Sequence, residues 1–367
     1  KFNPQNENAS IDIELDCIEQ NTGRLIKIYN SKEFSSQKNK FNPQNVLYGK
    51  LRPYLNKYYF TKKSGVCSSE IWVLKSTKED KLLNLFLYYF IQTKRYSDVA
   101  SKSAGSKMPR ADWGLIENIR VYFPELCEQQ KIGQFFSKLD RQIELEEQKL
   151  ELLQQQKKGY MQKIFSQELR FKDENGNDYP DWEEKQLGEL SQIVRGASPR
   201  PIKDPKWFNK ESDIGWLRIS DVTNQNGKIY HLEQKLSIEG QEKTRVLVTT
   251  HLLLSIAASI GKPVMNFVKT GVHDGFLIFL NPKFNLFFMY YWLEYFKDKW
   301  SKYGQPGSQV NLNTEIVKSQ TLNMPSNHEQ EKVGQFFNRN EKLIELQQEK
   351  IMYLKRRKQV LLQKMFI

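Results

Sequence analysis

Four short stretches hold residue types that could do chemistry. Pro180-Asp181, followed by Glu183, Glu184 and Lys185, imitates the PD…ExK signature of metal-dependent nucleases. That chemistry needs two carboxylates and a lysine brought to one metal from separate strands. Here a single residue separates the aspartate from the first glutamate, inside a polar, turn-rich run, so catalysis is not expected. Asp204-Pro205-Lys206-Trp207 has the outline of the D-P-P-Y/F loop of amino-methyl transfer, but the second proline is absent and no F-x-G-x-G loop occurs. Gly261-Lys262 lacks the upstream glycine and the following Ser or Thr of a phosphate loop. His273-Asp274 comes with no nucleophile elbow. Cys17, Cys67 and Cys127 form no CxxC, and the four histidines form no HExxH. Three reduced thiols are therefore expected, with no metal. The chain is expected to do no bond chemistry by itself and to bind no cofactor.

What remains is recognition. Basic residues interleave with aromatics and amides in stretches that read as loops. In the first half these are Lys50, Arg52, Tyr54 and Lys57, then Lys102, Lys107 and Arg110. In the second half they are Arg195, Ser198, Arg200 and Lys203, with amides at Asn224, Gln225 and Asn226. Gln305, Ser308, Gln309 and Asn311 add a further polar run. Lysine and arginine reach phosphates; arginine, asparagine and glutamine can also read base edges with two hydrogen bonds. The formal charge of +13 points the same way, toward a polyanion. It is shared: residues 1–127 carry +7 and residues 190–312 carry +6.

These loops need scaffolds. Residues 1–124 read as mixed α and β. NVLYGKLRPYLNKYYF and GVCSSEIWVLK look like strands, residues 80–100 have helical spacing, and residues 105–124 read as a loop, a short turn and a strand. Residues 187–325 follow the same plan, with a helix expected at 285–304. The acidic, turn-rich segment 168–186 is a connector. No run of 18 apolar residues occurs, so no transmembrane helix is expected.

The two halves are tied by a repeat. EQQKIGQFFSKLDRQIEL at 128–145 returns as EQEKVGQFFNRNEKLIEL at 329–346. Aligned without gaps, 128–165 and 329–366 share 16 identities in 38 positions. Each copy carries an apolar seam at seven-residue spacing. In the first it is Ile132, Phe136, Leu139, Ile143, Leu150, Leu153, Tyr160 and Ile164. In the second it is Val333, Phe337, Ile344, Ile351, Leu354, Leu361 and Met365. Polar breaks recur at matched places, Glu146 with Gln347 and Lys157 with Lys358, and such breaks tend to fix register. Two long helices are expected at 125–167 and 326–367, the repeated 38 residues of each spanning roughly 57 Å; each apolar stripe must be buried, the other copy is the nearest candidate, and such pairing could be antiparallel.

The order of variable segment, long helix, D-x-x-G-x-x-Y-P-x-W-E connector, L-G-E-L and second unit resembles the specificity subunit of type I restriction–modification systems. The residues that carry the resemblance are Glu128–Phe136 with Leu139-Asp140, Asp173–Glu183 and Leu187–Leu190. The resemblance implies an α+β fold: two mixed α/β target recognition domains separated by two long antiparallel coiled-coil helices, a pseudo-two-fold repeat. It implies a non-catalytic subunit that reads a split target in double-stranded DNA and docks two modification (methyltransferase) subunits. S-adenosylmethionine would belong to the modification subunits of this adenine-N6 methyltransferase complex, and ATP and Mg to restriction subunits. A cytoplasmic, DNA-associated, membrane-free setting is implied too. The first unit lacks a counterpart of roughly 180–201, so a shortened amino end is expected.

Other readings stand beside this one: an orphan specificity subunit serving a methyltransferase without restriction, a nuclease or methyltransferase fused to its own reader, and a coiled-coil scaffold that binds only protein.

Overall fold

The computed structural model describes residues 2, 3, 8, 10–102, 108–256, 260–303 and 312–366. The chain divides into two compact units, Lys1–Lys149 with Gln347–Ile367, and Leu150–Leu346. The division runs through both long helices, so each unit owns part of each.

Unit 1 begins with seven strands: β1 (Ile11–Ile13), β2 (Tyr29–Asn30), β3 (Asn39–Phe41), β4 (Val46–Gly49), β5 (Tyr58–Phe60), β6 (Gly65–Cys67) and β7 (Ile71–Leu74). They form a four-stranded sheet in the order β2-β1-β6-β3 and a three-stranded sheet in the order β5-β4-β7. β4 is buried on both faces. Its alternation sends Val46 and Tyr48 into a core with Phe86, Tyr89 and Phe136, and Leu47 into a second core with Ile13, Phe41 and Ile71. The expected helix at 80–100 is two helices, α1 (Asn84–Phe90) and α2 (Lys94–Ala100). Thr93 makes the break: its hydroxyl donates to the Phe90 carbonyl and accepts from the Tyr96 amide, capping the second helix. After α3 (Trp113–Ile116) the chain enters the long helix α4 (Leu126–Phe165).

Unit 2 carries β8 (Glu183–Gln186), α5 (Leu187–Leu190), β9 (Gln192–Arg195), β10 (Gly215–Trp216), α6 (Ile219–Asn224), β11 (Lys228–Ile229), α7 (Ile238–Glu242), β12 (Arg245–Leu247), β13 (Leu252–Ser255), β14 (Pro263–Asn266), β15 (Thr270–Val272) and β16 (Phe276–Leu280). α8 (Leu286–Phe296), α9 (Thr314–Lys318), β17 (Thr321–Met324) and the second long helix, α10 (Asn327–Met365), follow. The expected helix at 285–304 ends at Phe296 and passes into a 3-10 turn, Lys297–Tyr303. The main sheet runs β11-β14-β13-β16-β9. Leu252, Leu254, Leu277 and Phe279 face the core that contains Phe288, Phe337 and Phe165; Leu253, Phe276 and Ile278 face the other side.

The plan of unit 1 recurs. β1 pairs parallel with β6 and β10 with β15; β3 and β12 close those sheets antiparallel; β4 lies between β5 and β7 as β13 lies between β14 and β16. Among the described residues the β17–β8 pair does not recur. The strand expected at the end of 105–124 does not form, residues 117–124 being turn and coil, whereas the equivalent β17 pairs with β8. Among the described residues nothing takes the place of β8 in unit 1, and a lone strand has no ladder to hold it. Phe123 is 44% exposed while Met324 is 7% exposed. Likewise Glu329 is fully buried, accepting from Arg170 and Trp182 of the connector, while Glu128 is exposed.

The long helices are antiparallel within each unit. In unit 1, Asp140 pairs with Lys358, Glu147 with Lys355, and Glu146 with Lys350. Gln347 donates to the Glu146 carboxylate at 2.7 Å, so repeat-equivalent positions touch, as antiparallel copies of one helix must where they cross. In unit 2, Lys157 pairs with Glu341, and Tyr160 packs edge-on against Phe336. Along the expected seam, Ile132, Phe136, Leu139, Ile143, Ile164, Val333, Phe337, Ile344, Ile351 and Leu354 are buried, and Leu150, Leu153, Tyr160 and Leu361 are half-buried. Met365 is 39% exposed; Leu362 and Phe366 point inward instead. A straight helix drifts about 20° per heptad from a strict 3.5-residue repeat, and the second copy ends where that drift has accumulated.

A matched pair of buried glutamines fixes each helix to its own domain. Gln129 accepts from the Leu83 amide and donates to the carbonyls of Lys81 and Pro124. Gln330 accepts from the Asn285 amide and donates to the Pro325 carbonyl. Replacing either by alanine strands buried backbone groups and is expected to cost about 1–3 kcal/mol. The exposed Gln335→Ala should change stability by less than about 0.5 kcal/mol. Urea denaturation of the three variants checks this.

Candidate nucleic-acid interface

The candidate residues divide by what holds them. In unit 1 the turn after β4 is built on two left-handed residues, Arg52 (φ +53°) and Asn56 (φ +45°), which flank the 3-10 turn Pro53–Leu55. Such backbone costs about 1 kcal/mol or more per non-glycine residue and needs outside support. The support comes from a second chain segment. The Arg52 amide donates to the Pro109 carbonyl, the Ala111 amide to the Lys50 carbonyl, and the Lys50 amide to the Glu70 carbonyl. Lys50, Arg52, Tyr54 and Arg110 thus share one turn cluster. Arg110 lays its Nε and Nη2 on the two oxygens of Glu70 at 3.0 and 3.2 Å. Those hydrogen bonds hold the Glu70 carboxyl below its ordinary range, against the opposing pull of burial. Lys57 is not in the cluster: its Nζ donates inward to the Leu15 carbonyl at 2.5 Å. Lys102 lies just after α2, exposed, and Lys107 falls outside the described residues.

In unit 2 the loop after β9 gathers on one acid. Ser198 Oγ donates to Asp274 Oδ1 and Arg200 Nη2 to Asp274 Oδ2, both at 2.7 Å. Arg195 Nε reaches the Asp274 carbonyl at 2.6 Å, and Arg245 Nε reaches the Arg195 carbonyl at 2.7 Å. Burial pushes the Asp274 carboxyl up, but Ser198 and Arg200 outweigh it and hold it below the ordinary range. His273 sits beneath, edge-on to Phe276 and beside Trp216. Its Nδ1 accepts from the Gly275 amide at 2.8 Å, and burial depresses its pKa. Gly196 is required at the mouth of this loop: a Cβ there would stand 2.1 Å from the His273 carbonyl oxygen.

Other candidates serve elsewhere. Lys203 lies further along the loop, exposed. Gln225 is consumed locally, accepting from the amides of Tyr230 and His231 and donating to the His231 carbonyl. Asn226 takes a left-handed turn (φ +49°) and its carbonyl accepts from Tyr290, while Asn224 ends α6, exposed. Among the described residues the hydrogen bonds of this turn do not reach the Arg195–Arg200 loop. Gln305, Ser308, Gln309 and Asn311 fall outside the described residues.

The residues with a catalytic outline have structural roles. Asp181 is fully exposed and Lys185 pairs with Glu183. Asp204 caps the 3-10 turn Pro205–Trp207. Among the described residues no group of three His, Cys, Asp or Glu could hold a metal ion. Sequence reasoning missed Arg245, Glu70 and the anchoring part of Asp274. Arg245 is one cation in a strand, and nothing in the chain order points it at Arg195.

A type I restriction modification DNA specificity domain model matches residues 11–155 and 179–356. The chain is 26% identical over 315 residues to the type I restriction enzyme MjaVIII specificity subunit of Methanocaldococcus jannaschii, covering 78% of this chain and 70% of that protein. It is 23% identical to the putative MjaX specificity subunit of the same organism, over 74% of this chain and 64% of that one. Among solved structures, a chain from work on assembly and conformational transition of a type I R-M system superposes with TM-score 0.63 at 18% identity, over 99% of this chain and 93% of that one. The S subunit of a type I system from M. genitalium superposes with TM-score 0.57 at 14% identity, over 98% and 88%. The last two likenesses speak for the fold.

Two outcomes are expected at this loop. Gly196→Ala should force the loop off the 272–274 turn and cost about 1–3 kcal/mol, read as a lowered melting temperature. Because the folded imidazole of His273 binds its proton less readily than the ordinary value of 6.5, the unfolded chain is protonated first. Stability should therefore fall as pH drops through about 6.5, and His273→Phe should flatten that part of a pH–melting curve.

Proposed function

The chain belongs to the type I restriction–modification DNA specificity family, and from that premise we propose that each unit reads one half of a split double-stranded target. Specificity subunits are the non-catalytic components of type I complexes, so DNA and the other subunits of such a complex are its partners. The two long helices would set the unread spacer and dock two modification subunits. The observation that carries this reading is that each unit has its own turn cluster of exposed cations at corresponding strand ends, while the two long helices repeat one another at 16 of 38 positions.

Docking has its own support. Each long helix carries apolar residues left in water at heptad spacing: Leu145 and Leu152 on α4, and Leu346, Tyr353 and Val360 on α10. The first two of each set are repeat-equivalent, and exposed apolar residues in such a stripe mark a protein contact. The modification subunits would bring S-adenosylmethionine, and restriction subunits ATP and Mg. No helix among the described residues is long and apolar enough to cross a membrane; a cytoplasmic setting belongs to this reading.

The test is a methylation-site map of cells expressing the chain with a modification subunit. A split adenine-methylated motif should appear, vanish when the chain is deleted, and change in one half only when residues 190–320 are exchanged. Four residues inserted near Glu151 should alter the spacer and leave both halves intact. Binding to random duplex DNA should weaken steeply with salt. A complex that forms but leaves no motif would overturn the reading. Leu346→Glu with Tyr353→Glu should abolish co-purification of the modification subunit while the chain still melts cooperatively.

A further inference from the structure

In both units an arginine rests on a carboxylate at the same place in the fold. The ladders pair Gly49 with Ile71 in unit 1 and Ser255 with Phe276 in unit 2. Just before those strand residues stand Glu70, gripping Arg110, and Asp274, gripping Arg200. The acids differ, and the arginines come from different parts of the chain. The shared feature is the pairing itself.

The pairing decides what the arginine can do. A phosphate accepts from almost any direction, and a lysine point charge serves it well. A carboxylate beside a phosphate-binding cation only weakens the attraction. Direction matters when the partner is a base edge. Guanine presents N7 and O6 side by side, and an arginine reads them with two parallel N–H groups whose angle must be held. Arg200 gives Nη2 to Asp274, and its side chain remains 70% exposed. The acid is itself held: Ser198 fills its other oxygen, Arg195 takes its carbonyl, and half-buried His273 supports the turn from below.

We propose that Asp274 is a positioning residue that aims the Arg200 guanidinium at a guanine in the major groove, so that Arg200 sets the base at one position of the half-target read by unit 2. This rests on the DNA-reading function proposed above. Arg110 on Glu70 is the same device in unit 1.

The test uses the full chain with a cognate modification subunit and a library of random-sequence DNA duplexes, bound DNA being sequenced for wild type, Asp274→Asn, Arg200→Lys and Arg200→Ala. Wild type should enrich a split motif with a guanine in the unit 2 half. Arg200→Lys keeps the charge and should lose the preference at that single position by about tenfold or more, with binding to a non-cognate duplex unchanged. Asp274→Asn should lose the same preference while non-cognate binding holds or tightens, since a negative charge is gone. The unit 1 half should not change in any variant. A merely structural role for Asp274 would weaken cognate and non-cognate binding together, and that result would overturn the proposal. So would retention of the guanine by Arg200→Ala. If wild type enriches no motif, the DNA-reading function itself fails, which the variants alone would not reveal.

Discussion

Two carboxylates on the long helices, Asp140 and Glu341, each take a lysine from the opposite helix, and the rest of the structure is arranged around those contacts. Asp140 binds Lys358 and the hydroxyl of Tyr89; Glu341 binds Lys157 and the hydroxyl of Tyr291. Acids, lysines and tyrosines correspond through the repeat, so the same node is built once in each unit. Burial pushes the Glu341 carboxyl up, and Lys157 and Lys228 beside it pull it below its ordinary range. A buried charge that loses its partner costs about 3–5 kcal/mol. Sliding one helix along the other would separate Asp140 from Lys358 and Glu341 from Lys157. The apolar seam provides most of the attraction between the helices and tolerates several alignments. The nodes select one.

The sheets hang from this frame. Tyr89 and Tyr291 lie on α1 and α8, the helices that separate each sheet from the long arms, so each node reaches through the arm into its domain. From there the strands alternate strictly, with Tyr48 and Leu47, or Leu254 and Leu253, facing opposite cores. A sheet buried on both faces leaves only its ends and turns to meet solvent. The two cation clusters are therefore found at strand ends, where a rigid sheet holds loops that are free to differ in sequence.

Much of this was legible in the sequence because it is periodic or repeated. The helices follow from seven-residue spacing and from two related copies of one segment, while the family, and with it the antiparallel pairing and the α+β class, was legible through the resemblance carried by the helix, the connector and L-G-E-L. Lys157 and Lys358 could be picked out as polar breaks, but their partners could not, because Asp140 and Glu341 lie outside the seam series. The break at Thr93 was hidden in a helical pattern by a cap that depends on one hydroxyl. The absent strand at 117–124 was hidden because a strand is a property of a pair, and its sequence resembles that of β17, which has a partner. The candidate cations were recognised as a class more readily than as individuals. Lys57 and Gln225 look like binding residues in the chain, yet both spend their polar atoms on nearby backbone. His273-Asp274 was weighed for catalysis, while its use as an anchor required knowing that residues 198–200 come back to it.

The glutamines at the head of each long helix reach the domain beside them through its main-chain atoms. Gln129 and Gln330 read amides and carbonyls that any sequence in the same fold would offer. A fastening of this kind is indifferent to side chains. A globular part with other side chains but the same backbone path would offer Gln129 and Gln330 the same amides and carbonyls. At the level of individual hydrogen bonds, the arms are thus fastened to the path of the main chain more than to the side chains it carries.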